Sequence, residues 1–484
     1  MIKNNYINGE WQPASGKKFT SVNPSDGQEF WSGHESSAAE VSSAFAAARA
    51  AFESWGALPL DARLAPVKRF KDIAAERKSE MAECIARETG KQLWDAAGEA
   101  GALSAKADIS AQAYEDRTGE DARETAFGSA ALQHRPHGVM AVLGPYNFPA
   151  HLPNGQILPS LIAGNTVVFK PSELTPASGQ LLMEFYAQAD FPKGVVNLVQ
   201  GAKDTGAAML EDLNLDGLLF TGSARTGAYI HKHFGGRPEI ILALEMGGNN
   251  PLIVWDVKDV EAAASLIAQS AFITSGQRCT CARRLIVPKG ERGERIIEAV
   301  LAFMGRMSLG GFDEPAASLG PLISADIAAH VVRAADGLAA SGAKVLKPAE
   351  VTARGGAFVA PGLYDVTGID VEDEEIFGPV LTVTRAENWD AAIEAANNTR
   401  FGLAAGLISD EASLWENFKM RIRAGVVNFN RPTTGAASFL PFGGPGASGN
   451  HNPGAYYAAD FCAWPMASQV ASEVTAMPMQ GVRK

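Results

Sequence analysis

The sequence predicts an α/β protein made of two doubly wound domains with a small strand-built element attached. Three observations carry that expectation. The chain has 484 residues, too many for one hydrophobic core. From Gly138 onward, short apolar runs alternate with stretches of helical spacing, and the alternation restarts after a glycine-rich break near Asn249-Asn250-Pro251.

Taken in order, Val41, Phe45, Ala48, Phe52 and Trp55 recur at spacings of three and four, which predicts an amphipathic helix over 39–55; similar spacing continues from Leu64 to Ile85. Val139–Leu143, Thr166–Phe169, Val195–Val199, Leu215–Phe220 and Ile240–Leu244 are apolar runs of strand length. Between them lie helical stretches such as Pro176–Ala189 and Ala207–Leu213. Continuous apolar strands alternating with helices describe a parallel sheet covered on both faces, a Rossmann-like arrangement with ligands beyond the carboxyl ends of the strands.

In the second half, Leu252–Trp255, Arg284–Pro288, Ala343–Leu346, Val380–Arg385 and Ala404–Ile408 read as strands. Helical patterns separate them at Val260–Thr274, Ile296–Met307, Ala325–Ser341 and Trp389–Asn397. Tyr456–Ala467 has an aromatic, strand-like texture that fits neither domain. It predicts either a protruding strand making subunit contacts or an edge strand of the core.

Hydrophobic residues make up 46% and charged residues 20%, as in ordinary globular enzymes. A net charge of -12 argues against nucleic acid or an anionic membrane as partner, because both need clustered Lys and Arg. No stretch of ~20 apolar residues and no signal-like start are found, so a cytoplasmic location is expected. The four cysteines, Cys84, Cys279, Cys281 and Cys462, form no disulfide framework.

Five positions could carry chemistry. Cys279 lies in Ser-Gly-Gln-Arg-Cys-Thr-Cys between a helix end near Gly276 and a strand; a nucleophile and a small buried hydrophobe both fit it. A helix carboxyl end disfavours a thiolate, so activation must come from Arg278, backbone N–H groups or a cationic cofactor ring. Cys279 and Cys281 with His231 and His233 make a poor metal site, because one intervening residue is too few, and no metal is expected.

Glu245 ends an apolar strand before Met-Gly-Gly, where partial burial would raise its pKa toward that of a general base; a rim salt bridge or helix cap is the alternative. Gly222-Ser223-Ala224-Arg225-Thr226-Gly227 joins a strand to a helix, as a pyrophosphate site or as a plain tight turn. Lys170-Pro171-Ser172-Glu173 follows a strand end, where Lys170 and Glu173 could meet ribose hydroxyls, Glu173 favouring NAD over NADP; a helix first turn is the alternative. Asn147, in Gly-Pro-Tyr-Asn-Phe-Pro, is either an oxyanion donor or a turn residue.

Seven segments in register resemble motifs of the aldehyde dehydrogenase superfamily: Pro145–Pro149, Phe169–Glu173, Phe220–Ser223, Leu244–Gly248, Gly276–Cys279, Glu374–Pro379 and Pro441–Gly444. The resemblance implies Cys279 as nucleophile, Glu245 as general base, and Asn147 with the Cys279 N–H as oxyanion hole. It also implies NAD as cofactor, bound by Lys170, Ser172, Glu173 and Gly222–Gly227, with Glu375 and Phe377 at the nicotinamide end.

The implied division is residues 1–122 and 140–248 for the NAD-binding domain and 249–445 for the catalytic domain. Residues 123–139 and 446–484 would form a bridging element of a homodimer or homotetramer, with a strand near Ala463–Ser468 meeting Ser129–Arg135. Within the superfamily, Leu244–Leu252, Gln277–Arg284 and Gly449–Met466 resemble members acting on a dicarboxylate semialdehyde of amino-acid breakdown. The last segment replaces a common Gly-Arg-Glu. An anionic substrate calls for cations, and Arg278, His151 and Arg431 are the candidates. Glutamate or succinate semialdehyde as substrate, or a non-catalytic relative, are the competing expectations.

Overall fold

The computed structural model describes residues 4–126, 128–476 and 479–481. The chain opens with short strands β1 (Asn5–Ile7) and β2 (Glu10–Gln12) and a hairpin, β3 (Lys18–Val22) and β4 (Glu29–His34). Four helices follow: α1 (Ala38–Gly56), α2 (Leu60–Glu76), α3 (Lys78–Thr89) and the 26-residue α4 (Leu93–Thr118). Ser37 and Glu40 form a reciprocal capping box that starts α1. Gly90, at φ 76°, closes α3 in the left-handed region that glycine occupies most cheaply.

Strands β5 (Asp121–Thr125) and β6 (Gly128–Pro136) lead into the first βα alternation: β7 (Val139–Leu143), α5 (His151–Ala163), β8 (Thr166–Lys170), α6 (Pro176–Gln188), β9 (Val196–Leu198), α7 (Lys203–Leu210), β10 (Gly217–Gly222), α8 (Ala224–His233) and β11 (Ile241–Met246). The sheet order is β11-β10-β7-β8-β9-β1-β2, parallel from β11 to β9. The chain moves outward from β7 through β8 to β9, then returns to the other side of β7. That reversal creates a switch point above the carboxyl ends of β7 and β10, where the flanking loops diverge and leave a crevice.

A second alternation holds β12 (Asn250–Val254), α9 (Val260–Phe272), β13 (Ala282–Pro288), α10 (Glu291–Met304), α11 (Ala325–Ala340), β14 (Lys344–Lys347), β15 (Gly362–Asp365), β16 (Val380–Ala386), α12 (Trp389–Asn397), β17 (Ala404–Ile408), α13 (Ala412–Arg421) and β18 (Val426–Phe429). Its order is β14-β15-β16-β13-β12-β17-β18, with only the β14–β15 pair antiparallel. Val, Ile, Leu and Phe of both sheets are buried against helices on each face, as expected for strands without a solvent side.

Past β19 (Pro441–Phe442) and β20 (Gly454–Ala455), the segment expected to be one strand splits into α14 (Ala458–Cys462) and β21 (Ala463–Val470). Ala458, Ala459, Phe461 and Cys462 are buried together, which a helical turn achieves and an alternating strand does not. β21 pairs antiparallel with β6 of the same chain from Ala463↔Pro136 to Val470↔Ser129, and β5 completes a three-stranded sheet. Among the described residues, no helix is long and apolar enough to cross a membrane.

Candidate active site

Helix α9 stops at Phe272, and three residues then take left-handed backbone: Thr274 (φ 55°), Ser275 (φ 53°) and Gly276 (φ 74°). For a β-branched threonine this conformation is costly and needs support. Thr274 Oγ1 donates to Asp95 at 2.6 Å, and Ser275 Oγ donates to the Gly320 carbonyl. Gly276 is required twice over, by its φ and because a Cβ there would lie 2.1 Å from the Gly378 carbonyl. The reversal delivers Cys279 on a turn before β13 and separates it from the end of α9.

Two side chains hold the cysteine loop by its carbonyls. Arg283 donates to Gly276 at 2.7 Å and to Arg278 at 3.1 Å; Asn250 donates to Cys279 at 2.7 Å and to Cys281 at 2.8 Å. In a trans peptide the C=O and N–H point in opposite directions. With the Arg278 carbonyl turned to Arg283, the Cys279 N–H faces the other way and has no partner among the described residues. Asn147, buried on the loop after β7, gives one amide hydrogen to the Gln277 carbonyl at 3.0 Å, and its second has no partner among the described residues.

Burial pushes the Cys279 thiol up to about 12, with Glu375, Glu245 and Cys281 adding to the rise and Arg283 opposing it. The arginine that favours the thiolate is therefore Arg283. Arg278, expected to activate the thiol or to bind substrate, pairs with Asp95 at 2.7 Å and lies over Phe148.

Glu245 lies inside β11, one residue before its end. Burial raises its carboxyl to about 8, and only the Gly454 N–H, 2.7 Å from Oε1, opposes that. Oε2 is buried without a partner among the described residues. The strand is held by the segment that departs from the common pattern: Asn450 accepts from the Leu244 N–H at 2.9 Å and donates to the Leu242 carbonyl at 2.8 Å, and Asn452 donates to the same carbonyl. Two asparagines thus satisfy the open edge of β11. Beside Glu245 in register stands Thr221, whose hydroxyl receives Gln156 Nε2 at 3.1 Å.

Glu375 accepts from Arg283 at 3.1 Å, yet burial still raises its pKa. Its Oε2 would lie 1.8 Å from a Cβ at Gly247, so any larger residue there would push the carboxylate out of its present position. Phe377 meets Tyr146 edge-on at 5.9 Å and lies 5.4 Å from the Arg283 guanidinium. At the other end of the crevice, Ser223 caps α8 by accepting from Thr226 N–H, with Arg225 exposed beside it. Gly227 lets α8 close on β11, since a Cβ would sit 2.2 Å from Met246 Sδ. Lys170, buried at the end of β8, donates to Pro171 and Gly201 carbonyls and lies 3.9 Å from exposed Glu173. Ser172 Oγ accepts from Leu174 N–H, so 171–174 form a loop before α6 rather than its first turn.

Cys279, Glu245, Asn147, Glu375 and Phe377 thus surround the facing ends of the two sheets, and residues 11–464 match the sequence profile of the aldehyde dehydrogenase family. The chain belongs to that family. An N-succinylglutamate 5-semialdehyde dehydrogenase of Caulobacter sp. (strain K31) is 53% identical over 473 residues, 97% of each chain. PnpE of Pseudomonas sp. WBC-3, solved with nicotinamide adenine dinucleotide, superposes with a TM-score of 0.92 at 30% identity over 99% of both chains. A 1-pyrroline-5-carboxylate dehydrogenase from Thermus with bound NAD gives 0.91 at 28% identity, over 96% of this chain and 92% of that one.

In this aldehyde dehydrogenase the expected substrate cations do not stand together. Arg278 is committed to Asp95. His151 has a buried, unpartnered Nδ1 and a pKa pushed down to about 4 by burial and by Lys106 and Lys91, so it is neutral at pH 7. Arg431 is exposed on the loop after β18. Sequence reading missed Arg283, Asn250 and Gly454. Arg283 and Arg284 stand adjacent, and strand alternation sends only one of them into the site. Among the described residues, no group of three or more His, Cys, Asp or Glu could hold a metal.

Proposed function

We propose that this enzyme oxidises N-succinyl-L-glutamate 5-semialdehyde to N-succinyl-L-glutamate with NAD, through a thioester on Cys279, in the succinyltransferase route of arginine breakdown. The observation that carries the substrate is the identity of 53% over 97% of both chains to the Caulobacter dehydrogenase of that name. Glutamate or succinate semialdehyde is the competing substrate.

Support for NAD comes from the crevice. The uncovered start of α8 at Gly222–Gly227 suits a pyrophosphate, Lys170, Ser172 and exposed Glu173 suit an adenosine ribose, and Glu375 with Phe377 suits the nicotinamide end. When bound, NAD supplies the hydride acceptor. Cys279 Sγ attacks the aldehyde carbon, and the second Asn147 amide hydrogen and the Cys279 N–H stabilise the oxyanion. Glu245, through Oε2, takes the proton of the water that hydrolyses the thioester.

We further place the enzyme in the cytoplasm as a homo-oligomer assembled through the β21-β6-β5 sheet, whose Leu132, Trp464 and Val470 are exposed. A panel of succinylglutamate, glutamate and succinate semialdehydes, run with NAD and NADP, tests the assignment. The expected result is the highest kcat/KM for the succinylated aldehyde with NAD; a preference for an aldehyde lacking the succinyl arm overturns it.

A further inference from the structure

The polar face of α4 carries a charge that the mechanism does not use. Asp95, Glu99 and Lys106 stand at i, i+4 and i+11 on one side of the helix, toward α5 and the cysteine loop. The first two are matched: Asp95 with Arg278 at 2.7 Å, and Glu99 with Lys91 at 2.6 Å, while Lys91 and Arg278 both lie against Phe148, at 3.6 and 5.2 Å. Lys106 has no carboxylate partner among the described residues. It is 2% exposed, and its Nζ donates to the Ala455 carbonyl at 3.1 Å.

We infer that Lys106 is the cation that receives a carboxylate of the substrate, and so selects anionic over neutral aldehydes. A buried ammonium without a counter-ion is expensive, and a ligand carboxylate would complete the charge balance of the α4 face. The location fits. Ala455 directly follows Gly454, whose N–H holds Glu245, so the ammonium lies one residue from the general base's own partner. Lys106 also packs on α5 at Gly155, one turn from His151, whose buried Nδ1 lacks a partner and offers a neutral donor to the same anion. Burial has already pushed the Lys106 amine down to about 8, as expected for a charge awaiting its counter-ion.

This inference rests on the substrate class proposed above, and its test separates the two. Lys106→Met and Lys106→Arg are compared with the native enzyme, using the anionic semialdehyde that the native enzyme handles best and a neutral straight-chain aldehyde of similar length. The readout is the ratio of kcat/KM for the anionic aldehyde to that for the neutral one. Lys106→Met should lower the ratio about 10- to 100-fold, mostly through KM, as for loss of a hydrogen bond to a charged group, and Lys106→Arg should recover part of it. Thermal unfolding should show Lys106→Met at least as stable as native, because an unpaired buried charge has gone.

An unchanged ratio overturns the inference. So does a parallel fall for both aldehydes, which would mean that Lys106 merely props the Gly454–Ala455 turn. A native preference for an aldehyde without the succinyl arm would overturn the substrate assignment alone, since the ratio is taken on whichever anion is preferred.

Discussion

In the proposed role of general base, Glu245 must lose its proton before it can act, and that sets a measurable pH dependence. With a carboxyl near 8, the ionised fraction is about one tenth at pH 7, one half at pH 8 and nine tenths at pH 9. Because the raised pKa favours the neutral acid, activity is lost as pH falls. Where thioester hydrolysis limits turnover, kcat should rise about fivefold from pH 7 to 8 and less than twofold from 8 to 9. Glu245→Gln keeps an oxygen to accept from Gly454 N–H, so the local fold survives while the base is lost. Steady-state kcat should then fall about 10²- to 10⁴-fold. A first-turnover burst of NADH, stoichiometric with enzyme, should remain, since thioester formation does not need Glu245 as base. Stopped-flow absorbance of NADH with saturating aldehyde separates the phases. A flat native kcat profile between pH 6.5 and 8.5, or a burst lost in proportion to the steady state, would refute the reasoning.

Arg278→Ala should act on stability more than on substrate, because it leaves Asp95 buried without its guanidinium; a loss of about 3 kcal/mol in denaturant unfolding is expected. Unchanged stability together with a tenfold higher KM for the anionic aldehyde would restore Arg278 as a substrate anchor. The Cys279 thiol, held near 12 by burial and two carboxylates, should alkylate slowly at neutral pH without cofactor, and its apparent pKa should drop when NAD adds a positive ring. Iodoacetamide rates against pH, with and without NAD, check this, and an identical profile would leave Arg283 as the activating charge.

Some elements could be read to the residue. Val139–Leu143 and Ala404–Ile408 are strands at the bounds their apolar runs suggest, since a strand buried on both faces needs no polar alternation. Helix α4 gave no signal. Its buried face mixes Ala96, Ala100, Ala107 and Ala113 with Asp95, Glu99, Lys106, Ser110 and Thr118, and carries one large apolar residue, Leu103, so it makes no apolar stripe. Cys279, Glu245 and Asn147 stood out as candidates through the seven segments that resemble family motifs, whereas each residue on its own also fitted a plainer reading. Charge partners were not legible, because pairing is decided by distant chain: Asp95 takes Arg278 across 183 positions. Lys106 was invisible for a different reason, since lysine is by default a surface residue and nothing in its neighbours in sequence signals burial.

Arg283 and Arg284 show how little separates a charge turned toward the candidate site from one turned away from it. Both begin β13, and successive side chains of a strand point to opposite faces. Arg284 turns to the end of α12 and donates to the Ala395 and Ala396 carbonyls, each at 2.8 Å, where a cation also suits the helix dipole. Arg283 turns inward to Gly276, Arg278 and Glu375. Two acids, Cys279 and Glu375, thus share one guanidinium, and only Glu375 touches it, while Glu245 has the Gly454 N–H alone. One fixed cation cannot fully support two anions, so Cys279 and Glu375 compete for it. Direct contact gives Glu375 first claim, which leaves Cys279 neutral until further positive charge or a proton acceptor arrives, while burial by itself favours the neutral form of Glu245. If Cys279 and Glu245 act as proposed, keeping both protonated guards the thiol against stray electrophiles and makes the order of their ionisations the step that the fold controls.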